Sequence, residues 1–104
     1  DLARACRHVM AASKEKYYAN INQMCSHINV GSGEDIAISD LAELIKSLVN
    51  YNGEIVYDQS KPDGVQRKLL NSKRIRELGW SPQISLTKGL NIAYSDFKKL
   101  NEKV

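Results

Sequence analysis

The sequence has few of the side chains that usually advertise chemistry. Among 104 residues there are two cysteines, two histidines, two prolines and one tryptophan. Cys6 and Cys25 have neither metal-site spacing nor a disulfide-framework pattern, so both are expected as small buried apolar residues in a reducing cytoplasm. His8 and His27 stand far apart with no ligand set around them, and they are read as structural. No serine sits in a nucleophile elbow. No apolar run approaches the roughly 18 residues of a membrane span. No signal peptide is visible, because the first ten residues read as an amphipathic helix with charges inside it. Internal repeats and low-complexity segments are absent too. These absences remove metal, nucleophilic and membrane chemistry from the sequence-level reading.

What is present is an ordinary single-domain composition, 42% hydrophobic and 26% charged, with a net charge of +3. A chain of this size buries roughly 65% of the surface its unfolded form exposes, enough for a modest core. It opens on Asp1-Leu2 rather than Met, and the expectation is a piece of something longer, cut near a domain boundary.

Hydrophobic periodicity predicts a helix from residue 1 to about 16, carrying Leu2, Cys6, Val9 and Met10 on one face, with a polar turn from Tyr17 to Gln23. "CSHINVG" reads as a short strand at 26–30 closed by glycine, and "IAIS" as another at 36–39. Ser39 then reads as the cap of a helix whose inner face is Leu41, Leu44, Ile45, Leu48 and Val49, ended by Asn52-Gly53. "EIVYD" is the next strand, at 54–57. Strand, helix, strand is a βαβ unit, so the expected fold is α/β: a small, mostly parallel sheet covered by about four helices. Asn71 or Ser72 caps a short helix ending at Gly79, and Ser85 caps a last one with Leu86, Leu90, Ala93, Tyr94 and Phe97 inside. The charged tail "KKLNEKV" is expected to fray.

The stretch "YDQSKPDGVQRKLLN" (57–71) is more loaded than a connector needs to be. From Lys61 to Arg76 there are six cations and one acid, Asp63. Lys73, Arg74 and Arg76 are expected on a solvated helix surface. Arg67 and Lys68 follow a turn and precede Leu69-Leu70, which should anchor their backbone in the core. A guanidinium grips two phosphate oxygens at once and a lysine adds a compact second charge. Gly64 would let the backbone approach a ligand closely. Two readings stay open here: a loop for an anionic ligand, and a plain turn in which Asp63 pairs with Arg67. "NVGSGED" is not a dinucleotide fingerprint. Ile36 stands where the third glycine belongs, and Glu34 and Asp35 would repel a pyrophosphate.

The segments "HINVGSGEDIAISDLAELI", "SKPDGVQRKLLNSKRIRELGW" and "ISLTKGL" resemble the C-terminal part of the GDP-L-fucose synthase family, within the extended short-chain dehydrogenases/reductases. The resemblance runs from Asp1 to about Phe97. It implies that residues 1–104 form a single nucleotide-sugar substrate-binding domain. In the family an N-terminal Rossmann domain holds NADP and the catalytic residues, and homodimers form through it. The implied substrate is a GDP-sugar, GDP-4-keto-6-deoxy-D-mannose, with Asp63 near the guanosine and Arg67 and Lys68 near the diphosphate. No catalytic, cofactor or metal residue is implied in this chain, which by itself would be inactive. Val65-Gln66 stands where the family often has Thr-Pro. Exposed apolar surface is expected on the first helix and on "IAIS". A related nucleotide-sugar epimerase or dehydratase and a non-enzymatic interaction module are the alternative readings. Nucleic acid is disfavoured, because residues 61–76 hold no aromatic side chain on which a base could stack.

Overall fold

In a computed structural model, residues 1–22 and 24–101 are described. Their regular structure is helical: α1 (Leu2–Ala11), α2 (Lys14–Ala19), α3 (Ile38–Leu48), α4 (Lys73–Glu77) and α5 (Leu86–Asn101). The expected mostly parallel sheet is not there. Among the described residues, the one β-type pairing is an isolated antiparallel bridge between Asn22 and Cys25. The two strands of the expected βαβ unit fall in different compact units: Asp1–Asp35 with Arg67–Gln83, and Ile36–Gln66 with the chain from Ile84 onward.

In the first unit the core is Ala5, Ile75 and Trp80, with Val9, Ile28 and Val30 packed against it. Residues 25–32 run through this unit without a ladder, and side chains take over several of their carbonyls. Tyr17 donates its hydroxyl to the Ser26 carbonyl at 2.8 Å. Arg74 Nη1 reaches the carbonyls of Cys25 (3.3 Å) and His27 (3.2 Å), and Arg76 Nη2 that of Ser32 (2.8 Å). That is the physical reason an alternating sequence made no sheet. Alternation specifies a half-buried extended backbone, whereas its polar groups need only some partner, not another strand.

The first helix is shorter than its apolar periodicity. Ala12 is extended (φ −68°, ψ 142°), and Ser13 starts a second helix by accepting from Lys16 N at 3.3 Å. His8 is structural as expected, its Nε2 lying 2.9 Å from the Leu78 carbonyl oxygen. Both cysteines depart from expectation: Cys6 is exposed and Cys25 half-buried.

In α4 the working cap is Asn71, whose Oδ1 accepts from Lys73 N at 3.0 Å. The helix closes with paired bonds from Gly79 N to Arg76 O (2.9 Å) and Trp80 N to Ile75 O (3.1 Å), with Gly79 at φ +98°. This Schellman closure brings Trp80 back to Ile75, so the end of the helix and the core are one feature.

In the second unit α3 packs against α5. The helix starts earlier than expected: Ala37, not Ser39, is the N-cap, and Ile38 and Ser39 of the expected strand "IAIS" are helical. Its end uses the same closure, Asn50 N to Ser47 O (3.2 Å) and Tyr51 N to Lys46 O (3.0 Å). Asn50, rather than Asn52-Gly53, takes the positive φ of 56°. Leu41, Leu44, Leu48 and Val49 are half-buried, but Ile45 is exposed, as are Leu86, Ala93 and Phe97 of α5. No described residue of this unit is buried. Leu2, Met10, Ile36 and Ile38 are all exposed. The tail is helical to Asn101. The rest of that expectation, and Gln23 in the polar turn, lie outside the described residues.

Two stability measurements follow. Ile75 is fully buried, so Ile75→Ala should cost about 2–5 kcal/mol in urea unfolding. Gly79→Ala forces a side chain into the left-handed region and should cost on the order of 1 kcal/mol. A loss below measurement error for either would contradict the core and closure described here.

Candidate functional site

The loaded loop begins in the second unit with a turn built on Asp58. Its Oδ1 accepts from the Ser60 amide (3.0 Å) and hydroxyl (2.6 Å), and these bonds hold the Asp58 carboxyl below the usual range. Asp63 is exposed and has no hydrogen bond or ion pair among the described residues. Gly64 stands in open space: a methyl group there would meet nothing within 4 Å, and its backbone is not left-handed. Neither sterics nor backbone conformation in this structure requires glycine at that position.

Arg67 and Lys68 belong to the first unit. Lys68 is exposed and unpaired among the described residues. Arg67 does not pair with Asp63. Its guanidinium engages both carboxylate oxygens of Asp35, Nε to Oδ2 and Nη2 to Oδ1, the second at 3.3 Å. Both partners are exposed to solvent, the side chains at 68% and 38%. The hydrogen bond from Arg67, and then its charge, hold the Asp35 carboxyl below its ordinary 3.8, while Asp35 raises the Arg67 pKa in return. No sequence signal pointed to this pair, whose members are 32 residues apart.

Asp35 is presented by the "GSGED" turn. Gly33 has φ +84°, and a side chain there would run into the Arg76 guanidinium. The Ser32 hydroxyl accepts from Glu34 N (3.2 Å) and donates to Glu34 O (3.1 Å). Gly31 is also tightly approached, since a Cβ would lie 3.1 Å from Ser72 Oγ. Leu69 and Leu70 do not enter the core as expected. They are 41% and 49% exposed, and they line a concavity of about 700 Å³ with Gly33, Ser72, Lys73 and Arg76. Arg67 and Lys68 are not among its lining residues.

Arg74, expected on a solvated surface, is half-buried; Arg76 is exposed as expected, and both bond backbone carbonyls. Besides its carbonyl bonds, Arg74 Nη1 lies 3.1 Å from Cys25 Sγ. Cys25, His27, Asn29, Asn71, Lys73 and Arg74 surround a smaller hollow of about 270 Å³. Long arginines pinned along an extended segment give no periodicity to read. Among the described residues no group of three or more His, Cys, Asp or Glu side chains is arranged to hold a metal. No described helix is long and apolar enough to cross a membrane.

No protein-family model matches the chain. Curated proteins do. It is 47% identical over 97 residues to GDP-L-fucose synthase of Escherichia coli (strain K12), covering 93% of this chain and 30% of that protein. It is 49% identical over 71 residues to GDP-L-fucose synthase of Sinorhizobium fredii, covering 68% and 23% respectively. It is 39% identical over 84 residues to GDP-L-colitose synthase of Yersinia pseudotuberculosis, covering 81% and 27%. The chain thus spans less than a third of the length of these relatives.

The Arg67–Asp35 pair makes a pH-dependent prediction. A carboxyl whose folded pKa is depressed contributes stability above its unfolded value, and that stability is lost as pH falls through the lower folded value. An NMR titration should therefore place the Asp35 midpoint below 3.8. Arg67→Gln should move it back up. An Asp35 midpoint at the ordinary value in the unsubstituted chain would mean the pair does not form in solution.

Proposed function

We propose that this chain, homologous over nearly its whole length to the C-terminal part of the GDP-L-fucose synthases, is the substrate-binding part of such an enzyme. The reaction would be the NADP-dependent 3,5-epimerisation and 4-reduction of GDP-4-keto-6-deoxy-D-mannose to GDP-L-fucose. The observation that carries this reading is 47% identity across 93% of the chain. The relatives' names differ in the sugar, fucose or colitose, and share GDP. This favours the GDP end as what a shared C-terminal segment recognises.

Asp63 is assigned to the guanosine and Arg67 with Lys68 to the diphosphate. Exposure of all three side chains supports this, as does the ability of the Arg67 fork to take two oxygens of one anionic group at once. Lys68 supplies a point charge beside it.

NADP does not fit the residues described here. The only glycine-rich turn is closed over by Arg76 at Gly33 and followed by Glu34 and Asp35. The cofactor and the catalytic groups are therefore assigned to a Rossmann domain outside these residues, and no chemical step to residues 1–104. The work of this segment is to bind and orient the nucleotide end. The same reading places the whole enzyme in the cytoplasm as a homodimer formed through the Rossmann domain.

An amide NMR titration with GDP tests the assignment. Shifts should concentrate in residues 61–70, and Arg67→Ala should weaken binding about tenfold. Gly64→Ala should leave the melting temperature unchanged or slightly raised, because its Cβ meets nothing and alanine restricts the unfolded chain, but lower GDP affinity by crowding the ligand. No shift in 61–70 at millimolar GDP would remove the reading.

A further inference from the structure

The geometry points to Asp35 as a built-in occupant of the Arg67 anion fork, displaced when the substrate's diphosphate arrives. This inference rests on the assignment of Arg67 to the diphosphate, and it concerns how that same site is regulated. Three observations carry it.

First, Arg67 already presents two donors, Nε and Nη2, to two oxygens of a single anionic group, the arrangement a phosphate would take. Asp35 stands where that phosphate would sit. One guanidinium edge cannot hold both anions, and a carboxylate left beside a diphosphate would repel it. Second, the pair is open to solvent on both sides, and among the described residues no other side chain bonds either partner. An exposed pair of this kind is held with an equilibrium constant of only about 1 to 5, so exchange is cheap. Third, the two partners differ in how they are held. Asp35 follows a turn fixed by Gly33 at φ +84°, by the Ser32–Glu34 bonds and by Arg76. Arg67 precedes Lys68, Leu69 and Leu70, all exposed. The arginine is the partner free to swing away, and the aspartate is the fixed post to which it returns.

The occupant has a definite effect on affinity. A protein whose binding-competent form is a fraction of the total binds with its dissociation constant raised by the inverse of that fraction. With a pairing constant of about 1 to 5, Asp35 weakens GDP binding roughly two- to sixfold. In exchange it keeps Arg67 oriented and neutralised when no nucleotide is present. It also makes binding an exchange of one anion for another, which lowers the sensitivity of affinity to salt.

The test is a double-mutant cycle on GDP affinity, read by NMR or calorimetry, with Asp35→Asn and Asp35→Ser each combined with Arg67→Ala. Melting curves confirm that every variant is folded. The expected result is a two- to sixfold gain in affinity for both Asp35 variants, a steeper fall of affinity with added salt, and no gain in the Arg67→Ala background. A loss of affinity in the Asp35 variants would overturn the inference, because Asp35 would then be orienting Arg67 for the ligand. An unchanged affinity, or a gain that survives Arg67→Ala, would overturn it equally. If Arg67→Ala alone leaves GDP binding intact, it is the diphosphate assignment that fails, and the two failures are distinct.

Discussion

Arginine side chains holding backbone carbonyls are the interaction on which the better-formed half of this molecule depends. Residues 25–32 have no neighbouring strand beyond the isolated Asn22–Cys25 bridge, so most of their carbonyls would be left to water or to nothing. Arg74 and Arg76, one turn of α4, reach across and take three of them. Charge-assisted bonds suit this task because one guanidinium offers several donors in a fixed plane. Arg76 thereby also fixes the turn at Gly33, and with it the position of Asp35. The surface pair at the candidate site thus inherits its geometry from the packing beneath.

The two helix closures show how economically a buried core can be tied to a chain reversal. In both α3 and α4 a residue of positive φ lets the next amide return to the third-last helical carbonyl. After α4 that returning residue is Trp80, which fills the core beside Ile75. After α3 it is Tyr51, which stays exposed. One motif ends a helix in both cases, and only the side chain carried back decides whether it also builds a core.

The helices were largely legible. The apolar spacing of α3 and α5, the glycine after α4 and the serine before α5 all have local physical causes. The break at Ala12 was not, because alanine favours helix; the signal lay one residue on, in Ser13, whose hydroxyl caps the next helix. Ser39 drew the cap away from Ala37, since a hydroxyl is a visible signal and an extended alanine is not. The sheet was misread for a deeper reason. Alternation at 26–30 records the packing of Ile28 and Val30 against the core, and at 54–57 only Ile55 is half-buried; neither run says who bonds its backbone. At the candidate site the sequence pointed to Asp63, Arg67 and Lys68 as residue types suited to a nucleotide. It carried no trace of the Arg67–Asp35 pair or of the arginine–carbonyl bonds, which are set by three-dimensional reach.

The segment from Ile36 to Gln66 leaves the first unit after Asp35 and rejoins it at Arg67, two residues that touch. Such an excursion is closed at its base, like a loop pulled shut with a drawstring. Closure entropy grows only with the logarithm of loop length. Insertions or deletions within the excursion would therefore alter its own helix while scarcely changing the ease with which its base is fastened. Length variation in the parts of the excursion outside α3, which packs against α5, therefore costs the first unit little.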